Sequence, residues 1–196
     1  MKKGLTVLII VAAILLGGFL WVKNVYNQMV VSDESVQAAW AQVENVYQRR
    51  ADLIPNLVET VKGYAAHESA TLENVVAARA KATQVTVDPS DLTSEALAQF
   101  NQAQGELSAA LGRLLLIKES YPELKANQNF LELQAQLEGA ENRIATERMK
   151  FNEAAQAFNT GIRRFPDNII ASMFGFEKKA YFEAQDGAET APKVEF

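Results

Sequence analysis

The sequence predicts an all-α protein with a single N-terminal transmembrane helix followed by an elongated antiparallel helical bundle of three to four long helices. Three observations lead to this expectation. One uncharged apolar run, residues 5–22, lies near the N-terminus. Through most of the remaining chain, apolar residues recur every three or four positions, which is typical of helices that face a core. No alternating segment rich in Val, Ile and Thr is bounded by turns, which argues against a sheet.

The apolar run is long enough to cross a bilayer, which needs about 20 apolar residues in a helix. Lys2 and Lys3 precede it, and an amphipathic ring such as that of Trp21 suits the headgroup layer at its end. We therefore expect a membrane anchor that contacts lipid. The residues expected to form the span include Leu5, Ile9, Ile10, Ile14, Leu15, Phe19, Trp21 and Val22.

A cleaved signal peptide is the alternative interpretation of this run. Such a peptide ends in a small-residue cleavage site, but bulky residues 19–22 directly follow Gly17 and Gly18. Because the chain has no cysteine, a lipoprotein anchor is excluded. We therefore expect an uncleaved anchor.

The charges around the span predict its orientation. Basic residues precede it, whereas Asp33 and Glu34 follow it and the next basic residue after Lys23 is Arg49. The positive-inside rule places the N-terminus in the cytoplasm and the C-terminal domain on the other side of the membrane.

Composition limits the function of the rest of the chain. We expect an anchor over residues 1–23, one helical domain over 24–184 and a disordered tail over 185–196. After residue 23 the chain carries 16 basic and 24 acidic residues, a net charge of −8. This acidity argues against nucleic acid as a partner. The absence of cysteine excludes disulfides, thiolate nucleophiles and Cys-ligated zinc.

The first soluble helix is expected to continue directly from the membrane span, with Ser35 as a candidate cap if the helix breaks near the membrane. Pro55 predicts either a kink in one long helix or the start of a second one, because proline lacks a backbone donor. The pattern alone does not choose between them. The stripe before Pro55 consists of Val36, Trp40, Val43, Tyr47, Arg50 and Ile54, and it resumes as Leu57, Val61, Tyr64, Glu68, Leu72, Val75 and Arg79.

Two more helices follow a break at residues 83–93, where Asp88 and Pro89 are typical turn residues. In the first of them, Gly105 and Gly112 share a face, which favours close approach of a neighbouring helix. The second is expected from Phe130 to about Arg163, after a cap at Asn127 or Asn129. Buried positions expected in these two helices are Leu97, Phe100, Leu107, Leu111, Leu114, Phe130, Leu133, Leu137, Ala140, Ile144, Phe151, Ala155, Phe158 and Ile162.

Three long segments, in this order, resemble the LemA family of bacterial membrane-anchored helical proteins. They are RRADLIPNLVETVKGYAAHE (49–68), YPELKANQNFLELQAQLEGAENRIATERMKFNEAAQAFNT (121–160) and RRFPDNIIASMFGFEKKAYFEA (163–184). The resemblance implies a single-pass anchor and a helical, bundle-like soluble region. It also implies a bacterial cytoplasmic membrane, with the C-terminal domain in the periplasm or outside the cell. A relative in magnetic bacteria is implicated in forming the magnetosome membrane, and other members are often encoded near membrane metalloproteases or other envelope proteins. The resemblance supplies no catalytic residue.

The residues themselves do not favour an enzyme. His67 is the only histidine, so a di-iron site with two Glu-x-x-His elements is excluded in its usual form. A serine nucleophile would have no other histidine as its base. We therefore expect no catalytic residue, no metal ligand and no cofactor.

Several polar residues are expected to pair inside the bundle. Arg50 falls on the apolar stripe, so it requires a carboxylate partner there. The asparagines at 142, 152 and 159 are expected to fix the register of the helical seam. The candidate set for structural polar pairing is Arg49, Arg50, Asp52, Glu138, Glu141, Asn142 and Arg143.

The aromatic-rich segment 168–182 is the candidate interaction patch. It either folds onto one end of the bundle or forms an exposed apolar surface for a partner or for lipid. Its apolar members are Ile169, Ile170, Met173, Phe174, Phe176, Tyr181 and Phe182.

These features together predict a non-enzymatic scaffold that forms homo-oligomers and organises or shapes the envelope membrane. The alternative prediction is an adaptor that binds an envelope protein such as a membrane metalloprotease.

Overall fold

The computed structural model describes residues 2–183, with side chains from residue 4 onward, and this part of the chain is all-α with no strand. The predicted tail, 185–196, lies outside the described residues. Apart from one short 3-10 turn, Ile117–Glu119, the helices are α1 (Lys2–Lys62), α2 (Ser69–Gln84), α3 (Ser94–Leu116), α4 (Pro122–Lys125), α5 (Gln128–Gly161) and α6 (Asp167–Phe174).

Helix α1 carries both the apolar run and the first core stripe without interruption, as the sequence predicted. Sixty-one residues give it a length of about 90 Å at 1.5 Å per residue. Ser35 caps no break, because its hydroxyl donates to the carbonyl of Val31 within the helix. The apolar segment is long and apolar enough to cross a membrane, and no other part of the chain within residues 2–183 covers it. It is therefore compatible with a single-pass membrane anchor.

Pro55 lies inside α1, and the helix continues past it to Lys62. Proline cannot donate to the carbonyl four residues earlier, which is that of Ala51. The guanidinium Nε of Arg79, on α2, donates to this carbonyl at 2.8 Å. A side chain from the neighbouring helix thus supplies the hydrogen bond that Pro55 removes, and α2 is held against α1 at that level.

The stripe predicted beyond Pro55 was wrong over residues 63–68. The chain leaves the helix after Lys62 and re-enters one only at Ser69, because Gly63 begins a turn in which Ala65, not Tyr64, is buried. Tyr64 is 41 % exposed and accepts a hydrogen bond from Asn127. Tyr64 therefore fits the three-to-four spacing of the predicted stripe although it lies in a turn, where it contacts the start of α5.

The four main helices run up, down, up and down. α5 lies antiparallel along α1 and returns to the membrane-proximal end, while α2 and α3 form a second antiparallel pair. Thr93 caps α3 and Asn127 caps α5, through side-chain oxygens that accept from the amides of Ala96 and Phe130. The predicted buried positions of α3 and α5 are buried, except Leu133, which is half-buried.

The expectation that Gly105 and Gly112 admit a close neighbour was wrong. A Cβ atom added at either position would meet nothing within 4 Å. Gly112 is exposed, and Gly105 lies on the wall of an open groove between α3 and α5. Their common face therefore does not lie against another helix of this chain.

A double-mutant cycle tests the role of Arg79 at the proline. Arg79→Met should lower the free energy of unfolding by about 1–3 kcal/mol, because it leaves the carbonyl of Ala51 without a donor. In a Pro55→Ala background the new backbone amide should supply that donor, so the cost of Arg79→Met should fall to less than half. Denaturant unfolding of the four detergent-solubilised proteins measures both values, and equal costs in the two backgrounds would contradict the assignment.

Candidate functional site

A buried polar layer divides the bundle core into two apolar clusters. The membrane-proximal cluster extends as far as Tyr47 on α1 and Ile144 on α5, and the distal cluster begins at Ile54 and Leu137. Arg50 lies between them and is only 1 % exposed. The core therefore contains a full positive charge near the middle of the bundle.

Three hydrogen-bond partners and one aromatic ring surround the Arg50 guanidinium. One terminal nitrogen donates to Glu141 on α5 at 2.6 Å and to Ser108 on α3 at 2.9 Å. The other donates to Gln104 on α3 at 2.5 Å. Gln104 itself donates to the carbonyl of Ala82, at the end of α2. Arg50 and Gln104 together therefore link all four main helices.

The aromatic ring belongs to Tyr47, 5.1 Å from the guanidinium carbon of Arg50. Burial raises the pKa of the Tyr47 hydroxyl above its usual value, although the nearby Arg148 and Arg50 charges oppose this effect. Tyr47 therefore remains neutral at physiological pH. The carboxylate of Glu141 is the charge that compensates Arg50, and its side chain is 47 % exposed.

Only Arg50 and Glu141 of the predicted polar set pair with each other. Asp52 and Glu138 are exposed and accept from glutamines one turn away on their own helices. Among the described residues, Arg49 and Arg143 form no ion pair, and the side chain of Asn142 makes no hydrogen bond. These three side chains are exposed, so their predicted pairing inside the bundle was wrong.

An open groove runs between α3 and α5 above this layer, because the two helices do not approach each other closely. Its distal part is a pocket of about 380 Å³ with Arg50 and Tyr47 on its floor. Its membrane-proximal part, of about 540 Å³, is bordered by residues 178–181 and 183. Asn101 and Glu183 line both parts, so the two parts form one continuous groove.

Residues 176–183, which we call the C-terminal strap, leave α6 and run back along α5. Two asparagine amides of α5 hold the strap. Asn159 accepts from the amide of Lys179 and donates to its carbonyl, at 2.9 and 2.8 Å. Asn152 does the same with Phe182, at 2.8 and 2.9 Å.

The distance between the two asparagines along α5 nearly equals the distance between their two partners along the extended strap. The asparagines are seven residues apart, which is about 10.5 Å along α5. Lys179 and Phe182 are three residues apart, which is about 10 Å in an extended strand. Each amide therefore satisfies one donor and one acceptor of the strap, and the predicted role of Asn152 and Asn159 in a helix–helix seam was wrong.

Two side chains of the strap fix its ends. Lys179 forms an ion pair with Asp33 of α1 at 3.0 Å and donates to the carbonyl of Ser90. The Phe182 ring stacks on Trp40, with ring centroids 5.8 Å apart, and carries Arg148 on its other side. The strap thus joins α1, α5 and the loop before α3.

The predicted interaction patch is divided between the core and the surface. Ile170 and Phe182 are buried, so they are not available to a partner. Phe176 is half-buried, and Tyr181 is partly exposed with its hydroxyl bonded to Asn159. The exposed apolar residues on α6 are Ile169, Met173 and Phe174.

His67 is exposed in the turn between α1 and α2. Across the described part of the chain, no group of three or more His, Asp and Glu side chains converges as a metal site would require.

A family model for the LemA family matches residues 39–196, which is most of the chain. The chain belongs to the LemA family. The match covers the strap and most of the bundle, and it begins within α1, after its apolar segment. In this LemA-family protein, the matched residues include the Arg50 layer, α5 and the strap.

Named relatives extend over most of the chain. Magnetosome protein MamQ 2 of Paramagnetospirillum magneticum is 28 % identical over 184 residues, covering 84 % of this chain and 67 % of the relative. Magnetosome protein MamQ of Magnetospirillum gryphiswaldense is 27 % identical with the same coverage. Protein LemA of Metamycoplasma hominis is 24 % identical over 160 residues, covering 82 % of this chain and 69 % of the relative.

Sequence analysis missed Gln104 and Lys179, two residues that organise this LemA-family bundle. Gln104 had a signal, because it occupies a core position between Phe100 and Leu107, where a polar side chain needs a partner such as Arg50. Lys179 had none, since its partner Asp33 is far away in sequence and no periodic pattern connects them.

Removal of one strap amide should release the strap. Asn159→Ala deletes both hydrogen bonds to Lys179 and the bond to Tyr181. We expect hydrogen–deuterium exchange in the peptide covering residues 176–183 to accelerate by about 10- to 100-fold, equivalent to about 1–3 kcal/mol. The matched control is Asn142→Ala, on the same helix but without a side-chain bond, and it should leave that peptide unchanged. Unaltered exchange in Asn159→Ala would contradict the strap assignment.

Proposed function

We propose that this LemA-family protein is a non-enzymatic, membrane-anchored scaffold that self-associates and organises or shapes the envelope membrane. The observation that carries this proposal is the continuity of α1. A single helix forms the apolar segment, the first core stripe and the Arg50 layer. A force or an orientation imposed on the bundle is therefore transmitted directly to the span.

The surface of the span supports self-association. All its side chains from Leu5 to Leu20 are exposed in the single chain. Ala13 and Gly17 are one turn apart on one face, an arrangement that lets two membrane helices approach closely. A Cβ atom at Gly17 would meet nothing within the chain, so this face is free for a second copy.

The rest of the molecule supports a structural rather than a catalytic role. The buried polar residues hold parts of the fold together: Arg50 links helices, and Asn159 holds the strap on α5. The membership in the LemA family and the similarity to magnetosome proteins fit a role at a membrane. We place the N-terminus in the cytoplasm and the bundle on the far side of the cytoplasmic membrane, on the distribution of basic residues around the span.

An exchange of one glycine tests self-association. Gly17→Leu should fill the close-approach face and shift the full-length protein toward the monomer, because the larger side chain keeps two helices apart. The matched control is Gly4→Leu, the same exchange on the opposite side of α1, which should preserve the assembly. Light scattering and electron microscopy of the proteins in mild detergent and in lipid nanodiscs measure the mass and shape.

A monomeric wild-type protein at high concentration in both environments would contradict the scaffold proposal. If the monomer instead binds one purified envelope protein at fixed stoichiometry, the adaptor alternative replaces it.

A further inference from the structure

Helix α6 has apolar residues on two sides, and only one side is covered. Ile170 and Ala171 are buried against the membrane-proximal core. On the other side Ile169 is 53 % and Met173 63 % exposed, and they lie one turn apart. Phe165, four residues before Ile169 in the chain, is also apolar and 82 % exposed. We call these three exposed residues, together with Phe174, the α6 face.

The α6 face lies where the anchor leaves the membrane. The Phe174 and Phe176 rings contact Tyr26 of α1, with centroids 4.8 and 5.8 Å apart. Tyr26 follows Val22, the last residue of the apolar run, by four positions, or about 6 Å along the helix. The headgroup layer on each side of a bilayer is about 5–7 Å thick. These contacts therefore lie at the depth of the lipid headgroups.

The charges around the α6 face favour an anionic lipid surface over a neutral or basic protein surface. Exposed basic residues flank it at positions 23, 163, 164 and 178, against Asp167 and Glu177. This basic excess stands out in a domain whose net charge after residue 23 is −8. Basic residues beside an apolar surface are typical of protein segments that lie in an anionic headgroup layer.

We infer that the α6 face is a second membrane contact, in which Phe165, Ile169 and Met173 enter the headgroup layer of the bilayer that α1 spans. This inference rests on the anchor in the proposed function. The occupant is the lipid of the protein's own membrane, and the two contacts together fix the bundle at a set tilt. Because α6 is joined to the strap, lipid contact also orients the segment that borders the membrane-proximal part of the α3–α5 groove.

Site-directed spin labelling tests the inference on the full-length chain, which has no native cysteine to remove. A label at Met173→Cys in nanodiscs should be several-fold more accessible to oxygen, which concentrates in lipid, than to a water-soluble nickel chelate. The aqueous control is Met149→Cys, an exposed methionine in the middle of α5. The lipid control is Leu15→Cys in the span. Nanodiscs with added phosphatidylglycerol should place the Met173 label deeper than zwitterionic ones.

The outcomes separate this inference from the proposed anchor. If Met173 behaves like Met149 while Leu15 reports lipid, the second contact is overturned and the anchor stands. If Met173 is shielded from both reagents, a protein surface covers the α6 face and the lipid assignment is overturned. If Leu15 itself is aqueous, the anchor of the proposed function fails, and the second contact fails with it.

Discussion

The continuity of α1 is the constraint on which the rest of this structure depends. Its first part presents apolar side chains outward on all sides, and its second part buries one stripe against α5. A proline inside such a helix threatens that continuity, because it frees the carbonyl of Ala51. The Arg79 side chain satisfies that carbonyl from α2, so the helix extends past Pro55 and the distal core assembles on it.

The polar interactions of the bundle specify one arrangement of the helices around α1. Burial of Arg50 without partners would cost several kcal/mol, so the layer forms only when Glu141, Gln104 and Ser108 reach the same level. An apolar core alone tolerates a shift of one helix along another, whereas this layer does not. The strap adds a second restraint, since Lys179 fixes the chain to Asp33 near the membrane.

The local spacing of apolar residues predicted much of the fold, but it did not predict most of the contacts of the candidate site. The three-to-four spacing predicted α1, α3 and α5 because each buries one continuous stripe, and it also marked Arg50 as a charge inside the core. The same spacing failed after Lys62, since it placed Tyr64 and Glu68 on a helical stripe where the chain turns and buries Ala65 instead. The strap was not predictable, because its bonds join side-chain amides to backbone groups about twenty to thirty residues away.

A distance across the junction between span and bundle tests the central claim that α1 is one rigid helix. Spin labels are placed at Leu20→Cys and Arg49→Cys, which are both exposed positions of α1. In nanodiscs they should give one narrow distance distribution at about 44 Å. An excess of unlabelled protein ensures that the distance is measured within one chain. A Glu34→Cys and Arg49→Cys pair within the bundle, near ~22 Å, serves as reference. A broad distribution at shorter distances for the first pair alone would place a flexible joint between membrane and bundle and contradict the account.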